Sequence, residues 1–261
     1  SLSHWKGLAY PNTGFVGAHA AFLAMRGITG PEEVFEGNKG FKDAIAGEFT
    51  IDWANEDLEN VKKSIIKKYN AEIHSQSSIE GALELQAEKG FSWDQIEHIG
   101  IDIFDVAFHI IGGGEEGDKT IIRTKEEADH SLQYMVGVAL IDGNVLPAQY
   151  EGDRVTRDDI QSLLQRFTVK PKQEYTDRIP QEVCPDVAIT LKDGTVHKIT
   201  KTDYEGFNTR PMSWDTVEAK FTNLAEPFTS ERTRRAIVEA VKNLETISAR
   251  QLAAILGDLT A

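Results

Sequence analysis

The stretch VCPDVAITLKDGTVHKITK, residues 183–201, decides the fold class, because it predicts a β-hairpin in a chain otherwise rich in helical patterns. Two runs with alternating apolar residues flank the Asp193-Gly194 pair, whose residue types favour the positive φ angles of a tight hairpin turn. Upstream, IGIDIFDVAF at residues 99–108 alternates apolar and polar side chains, which predicts a half-buried strand. FTIDWAN at residues 49–55 also has the composition of a strand.

Helical patterns lie on both sides of this strand-containing block. Residues 12–29 and 124–143 repeat apolar side chains at helical spacing, and so do three segments after residue 213. We therefore predict an α+β protein: a mostly helical domain, partly represented by residues 1–48 and 214–261, with a smaller α+β domain inserted at residues 49–213.

Composition excludes several classes of protein. The net charge of −14 argues against a nucleic-acid-binding protein, which needs a basic surface. No apolar run reaches the roughly 20 residues that span a bilayer, and residues 1–10 lack a secretory signal pattern. A single cysteine, Cys184, cannot form an internal disulfide and is expected to be a buried apolar residue of a cytoplasmic protein.

A second stretch, IIKKYNAEIHSQSSIEGALEL at residues 65–85, concentrates polar groups just before a predicted helix. Ser77 and Glu80 predict a capping box at the start of that helix, where free backbone N–H groups favour an anion. The polar side chains before it are Lys67, Glu72, His74, Ser75 and Gln76. They could hold an anion and exchange a proton with it. They could equally be a solvated basic strand followed by a capped surface helix.

Other patterns are weaker or absent. Lys6 follows Trp5, and an aromatic neighbour can desolvate an ammonium group and lower its pKa, although an exposed lysine is the commoner case. The sequence contains neither HExxH nor GxSxG. We therefore predict no metal and no cofactor.

Residues 67–85, KKYNAEIHSQSSIEGALEL, resemble a Lys-x-Tyr-Pro-Ala-Glu-x-His-Ser-Gln segment of the MmgE/PrpD family, of the 2-methylcitrate dehydratase type. WKGLA near the N-terminus, TKEEADHSLQYMVGVALIDG at residues 124–143 and RPMSW…KF at residues 210–221 are similar to further family segments, in the same order. Asn70 replaces the usual proline.

The resemblance implies a helical domain with an α+β lid, an active site between them, and a homodimer. It implies a metal-independent hydro-lyase of propionate catabolism that dehydrates a small tricarboxylic hydroxy acid such as 2-methylcitrate. By resemblance, Lys6, Lys67, Glu72 and His74 are catalytic, and Ser75 and Gln76 contact the substrate. Glu72 aligns where decarboxylases of the family carry a histidine, which favours the dehydratase.

Three alternatives stay open: a cis-aconitate decarboxylase, an iminodisuccinate epimerase, or a non-catalytic remnant that only binds a partner. The resemblance covers the C-terminal half of a family member. It implies that an N-terminal half, with further Asp and His active-site residues, would precede Ser1, so that the chain alone would lack part of the catalytic set.

Overall fold

A computed structural model describes residues 5–115 and 117–257, apart from the side chain of Lys6. The chain divides into two compact units, residues 1–63 and residues 64–261.

The first unit contains one long helix, α1 (Trp5–Ala24), which continues through Pro11. A π-helical turn follows at Lys42–Ala46 and a 3₁₀ turn at Glu59–Lys63. No described side chain of residues 5–63 is buried, and large apolar side chains such as Phe15 and Phe22 are mostly exposed. This unit therefore forms local structure without a core of its own.

The strand predicted at residues 49–55 is wrong, since residues 49–52 are irregular and residues 53–55 form a turn. The Asp52 carboxylate accepts hydrogen bonds from the backbone N–H of Ala54 and from the side-chain amide of Asn55. A short polar side chain that bonds its own neighbours competes with strand pairing, which explains the difference.

The second unit alternates helices and strands. Its strands are β1 (Ile96–Ile103), β2 (Phe167–Pro171), β3 (Pro185–Leu191) and β4 (Val196–Thr200). Its helices are α2 (Gln76–Lys89), α3 (Asp105–Ala107), α4 (Lys125–Ala128), α5 (Leu132–Asp142), α6 (Asp158–Leu164), α7 (Gln173–Thr176), α8 (Trp214–Ala225), α9 (Glu231–Lys242) and α10 (Ala249–Gly257).

The four strands form one sheet in the order β2-β1-β3-β4. β1 pairs with β2 in parallel, and β3 pairs in antiparallel fashion with both β1 and β4. Every second residue of β3 is buried, and Ile99, Ile101 and Ile103 of β1 are fully buried on the central strand. The hairpin predicted around Asp193-Gly194 is confirmed, and the strand predicted at residues 99–108 is confirmed up to Ile103, after which α3 begins at Asp105.

Helices α2 and α5 supply much of the remaining core. All residues of α5 from Leu132 to Leu140 are buried, and α2 packs against α5 as well as against β3 and β4. The predicted continuous helix over residues 124–143 is wrong, because α4 and α5 are separate. The Ser131 hydroxyl accepts the N–H of Tyr134 and so begins a new helix after α4.

The predicted mixture of helices and sheet is confirmed, as is the burial of Cys184. The domain limits at residues 48/49 and 213/214, and the lid, stay predictions. Among the described helices, none combines the length and apolar character needed to cross a membrane.

Candidate active site

The candidate site is built on an irregular segment, residues 66–75, that several separate elements hold in place. Ile66 donates its N–H to the carbonyl of Gly206, and Asn70 donates to the carbonyl of Val145. The N–H of Glu72 points at the sulfur of Met135 in α5, at 3.4 Å. Because these three backbone groups find partners on different elements, the part of the segment before the short 3₁₀ helix at residues 73–75 is fixed without being helix or strand.

Glu72 and His74 form a close pair on this segment. Nδ1 of His74 lies 2.9 Å from Oε1 of Glu72, within ion-pair distance. The geometry between these two atoms does not meet the requirements of a hydrogen bond. Oε2 of Glu72 accepts the backbone N–H of His74 at 2.7 Å, which caps the short 3₁₀ helix Ile73–Ser75. The ring of Phe104 packs edge-on against the imidazole, 5.5 Å away between centroids.

The burial of this pair differs between its members. The side chain of Glu72 is 11% exposed and that of His74 is 26% exposed. Nδ1 itself is buried beside the carboxylate, so the exposed fraction of the imidazole belongs to its other atoms. A ligand could therefore reach the other ring nitrogen, Nε2, while Glu72 holds the ring from behind.

The charge state of Glu72 follows from its neighbours. Burial raises the pKa of its carboxyl group, but the imidazole and N–H of His74 and the positive charge of Lys67 outweigh burial and bring the pKa below its ordinary value. Glu72 is therefore ionised at neutral pH. An ionised carboxylate beside a ring nitrogen helps to orient the imidazole.

Ser75 and Gln76, predicted to contact the substrate, are fully buried. The Ser75 hydroxyl donates to the carbonyl of Glu72 at 2.6 Å. The Gln76 amide accepts from the N–H of Tyr69 and donates to the carbonyl of Tyr69. Both residues hold the backbone that carries Glu72, and their role in contacting a substrate stays a prediction.

The start of α2 differs from the prediction. The helix begins at Gln76, so Ser77 and Glu80 do not form the predicted capping box. The carboxylate of Glu80 instead accepts from the guanidinium of Arg210 and pairs with Lys201 at 3.0 Å. A fixed positive charge from another element is a stronger partner for a buried carboxylate than a backbone N–H, which explains the change.

The two predicted lysines are placed differently. Lys67 lies on the irregular segment with an exposed side chain, and its ammonium forms no ion pair or hydrogen bond with any residue that the structure describes. Its charge nevertheless acts on Glu72 and helps to lower the pKa of that carboxyl group. Lys6 lies in α1, and its side chain falls outside the described residues, so its catalytic role stays a prediction.

Sequence reasoning missed two residues of this site. Tyr204 is buried, its hydroxyl has no hydrogen-bond partner among the described residues, and burial together with the charge of Glu72 raises its pKa to about 12. The ammonium of Lys220, in α8, donates to the carbonyl of Lys67. No motif marks Tyr204, whereas Lys220 is the lysine of the segment RPMSW…KF.

In residues 5–115 and 117–257 the structure shows no cluster of three His, Cys, Asp or Glu side chains suited to a metal ion. The described groups can instead move a proton through His74 and attract an anion through Lys67. A proton-transfer group beside a cation is an arrangement suited to reactions at a carbon next to a carboxylate.

Comparison with known proteins identifies the family of the chain. The sequence model of the MmgE/PrpD C-terminal domain matches residues 69–246, and that of the MmgE/PrpD N-terminal domain matches residues 1–54. The first match contains Glu72, His74, Tyr204 and Lys220, whereas Lys67 lies two residues before it.

Curated relatives carry two enzyme names. The chain is 24% identical over 257 residues to cis-aconitate decarboxylase from Mus musculus, a match that covers 93% of the chain and 50% of the relative. It is 32% identical over 148 residues to 2-methylcitrate dehydratase from Cupriavidus necator, with 53% of the chain and 29% of the relative covered. A 2-methylcitrate dehydratase from Yarrowia lipolytica is 29% identical over 188 residues, with 67% of the chain and 35% of the relative covered.

The chain spans about half the length of the cis-aconitate decarboxylases that it matches. The resemblance seen in the sequence is confirmed, since one domain of the family matches most of the chain and a second matches its first part. The chain belongs to the MmgE/PrpD family.

Proposed function

We propose that the chain is part of a lyase that dehydrates a small tricarboxylic hydroxy acid such as 2-methylcitrate. The observation that carries this proposal is the Glu72–His74 pair, in which an ionised carboxylate lies behind a partly exposed imidazole and beside the charge of Lys67. The names of relatives support it, because both are lyases that act on tricarboxylic acids.

The proposed chemistry assigns one task to each group. Dehydration of a β-hydroxy acid removes a proton next to a carboxylate and expels hydroxide with the help of an acid. His74 exchanges the proton through Nε2, and Glu72 orients the ring. Lys67 neutralises a substrate carboxylate and stabilises negative charge that develops on it during proton removal.

Assembly and surroundings belong to the same proposal. Lys6 would supply a second cation, and a lid formed by residues 49–213 would close over the substrate and exclude water. The enzyme would act in the cytoplasm as a homodimer, without a metal. An N-terminal half with further acid and base groups would complete the site.

A specific observation favours a second candidate, cis-aconitate decarboxylase. The match to the mouse enzyme of that name covers 93% of the chain, whereas the match to the Cupriavidus necator dehydratase covers 53%. Product analysis separates the two: a dehydratase gives an unsaturated tricarboxylate and water, and a decarboxylase releases CO₂. An epimerase would invert a centre and lose neither, and a remnant would turn over no substrate.

Turnover of 2-methylcitrate and of cis-aconitate, measured for the wild-type protein and two histidine variants, tests the proposal. We expect His74→Ala to lower kcat/KM at least about a hundredfold, the usual contribution of a general acid or base. The matched control is His98→Ala, because His98 is an exposed residue of β1 whose Nε2 lies 3.0 Å from the Thr168 hydroxyl.

The control should keep kcat/KM within about twofold of wild type, as expected for a surface substitution away from the site. Equal activity of the two variants would remove His74 from the mechanism. Release of CO₂ from cis-aconitate without dehydration of 2-methylcitrate would replace the first candidate with the second.

A further inference from the structure

Helix α8 contacts the segment that carries the candidate site directly through Lys220, and indirectly through Thr216 and Glu205. The hydroxyl of Thr216 donates to Oε1 of Glu205 at 2.6 Å, and Oε2 of Glu205 pairs with the ammonium of Lys68 at 2.8 Å. One helical turn later, the ammonium of Lys220 donates to the carbonyl of Lys67. Residues four apart share a face of a helix, so one face of α8 holds the backbone of Lys67 directly and the side chain of Lys68 through Glu205.

This arrangement brings two ammonium groups together. The Lys220 ammonium touches the backbone of Lys67, and the charge of the Lys67 ammonium acts on both Lys220 and Glu72. Burial lowers the pKa of Lys220, and the like charge of Lys67 lowers it further. A partly desolvated cation attracts an anion more strongly than one in open solvent, because water screens it less.

Neither ammonium group has a carboxylate within ion-pair distance among the described residues, although the chain has 42 acidic residues against 28 Lys and Arg. Nearby cations differ in this respect: Lys68 pairs with Glu205, and Lys201 pairs with Glu84. Two adjacent and uncompensated positive charges repel each other, and a bound anion would remove that repulsion.

Hydrogen-bond capacity agrees with this conclusion. An ammonium group has three donors, and Lys220 uses one of them on the Lys67 carbonyl. The remaining donors of Lys220 and those of Lys67 are available to the two oxygens of a carboxylate. The hydrogen bond to the backbone fixes Lys220 in place before a ligand arrives, which lowers the entropic cost of binding.

We propose that Lys67 and Lys220 together bind one carboxylate group of the substrate. The inference rests on the proposed function for the identity of the substrate, a tricarboxylic acid. It adds Lys220 as a binding residue and places the bound carboxylate within electrostatic range of Glu72, on which the charge of Lys67 acts.

Binding of propane-1,2,3-tricarboxylate, an unreactive analogue without a hydroxyl group, tests the pair by calorimetry at low ionic strength. We expect Lys220→Met and Lys67→Met each to raise Kd at least about tenfold, the loss that follows from removing one charge-assisted hydrogen bond. Lys220→Arg keeps the charge and should stay within about threefold of wild type. The double variant should lose less than the product of the single losses, because both residues hold one carboxylate.

Lys242→Met is the matched control, since Lys242 lies on the neighbouring helix α9 and is already neutralised by Glu218 at 2.8 Å. It changes the net charge by the same amount as Lys220→Met and should leave Kd within about twofold of wild type. Lys67→Met is a variant that should fold normally, because Lys220 bonds the backbone carbonyl of residue 67 and that hydrogen bond does not depend on the lysine side chain. It therefore tests the pair even if Lys220→Met is misfolded.

Three results would overturn the proposal that Lys67 and Lys220 bind one carboxylate. They are no binding of the tricarboxylate, an unchanged Kd in Lys220→Met, or an equal loss of affinity in Lys242→Met. Turnover separates this failure from failure of the proposed function. If wild type dehydrates 2-methylcitrate and Lys220→Met leaves KM unchanged, the pair is wrong and the function stands. If the tricarboxylate binds through both lysines, but neither 2-methylcitrate nor cis-aconitate is turned over when the N-terminal half of a family member is supplied, the pair stands and the lyase is wrong.

Discussion

Residues 5–63 and residues 64–257 have similar local patterning but very different burial. Helix α1 is as apolar in sequence as α5, yet Phe22 is 58% exposed, whereas Met135 in α5 is fully buried. The second unit has a sheet with helices packed on it, so its apolar side chains have partners. A helix forms from local bonds, but burial requires a second layer. The first unit lacks that layer within its own residues.

This difference affects the candidate site directly. The unit that has a core contains Lys67, Glu72, His74, Tyr204 and Lys220. Elements of that unit fix the segment that carries the first three of these residues. Lys6 lies in the unit without buried side chains. We therefore expect the residues that determine stability and the geometry of the site to lie within residues 64–257.

The largest effect is expected from paired core and surface truncations. Ile99→Ala removes a fully buried side chain from the central strand and should lower the free energy of unfolding by about 2–5 kcal/mol. Phe22→Ala in α1 should change it by less than about 0.5 kcal/mol, because that side chain is mostly exposed. Urea denaturation of both variants measures the two values. Similar losses would mean that α1 is packed in a core, and the comparison would fail.

A paired glycine substitution is expected to have an intermediate effect. A methyl group on Gly206 would overlap the carbonyl oxygen of Ile66, at a φ of +112° that alanine rarely adopts. Gly206→Ala should therefore cost about 2–3 kcal/mol and displace the site segment. Gly27 has a φ of +88° but open space around it, so Gly27→Ala should cost about 1 kcal/mol, from backbone strain alone.

Thermal unfolding and the activity of both variants check this prediction. Activity should fall only in Gly206→Ala, because only that substitution moves the segment that carries Lys67 and Glu72. Loss of activity in Gly27→Ala at an unchanged midpoint of unfolding would show that the first unit also sets the geometry of the site.

The smallest effect is expected from the charge of Glu72. Its folded pKa lies below the ordinary glutamate value, so ionisation of Glu72 stabilises the folded state above that value, and the contribution is lost as pH falls through the folded pKa. Glu72→Gln should lower the free energy of unfolding by about 1 kcal/mol at pH 7. Its difference from wild type should vanish at a pH below the folded pKa.

Urea denaturation at several pH values measures this dependence. Asp43→Asn in the first unit removes an exposed carboxylate that accepts one backbone N–H, and it should change the free energy of unfolding by less than about 0.5 kcal/mol. A difference between Glu72→Gln and wild type that persists in acid would assign the effect to packing rather than to charge.

Much of the fold was predictable because its signals are local. Alternation of apolar residues predicted β1, and an Asp-Gly pair predicted the turn between β3 and β4. Predictions failed where a polar side chain bonds either a residue of a distant element or the backbone of its own near neighbours. The Asp52 carboxylate bonds the backbone of a turn where a strand was predicted. Glu80 pairs with Arg210 instead of forming a capping box, and Ser131 caps a second helix within the predicted single one.

The sequence by itself determined the family, the mixed fold class and the positions of Lys67, Glu72 and His74, because motif order and short-range periodicity are written along the chain. Only the tertiary structure decided that Glu72 lies behind the imidazole, that Ser75 and Gln76 are buried against the backbone, and that Lys220 meets Lys67 across 153 positions. Contacts of that kind depend on how separate elements pack, and a single sequence carries no local signal for them.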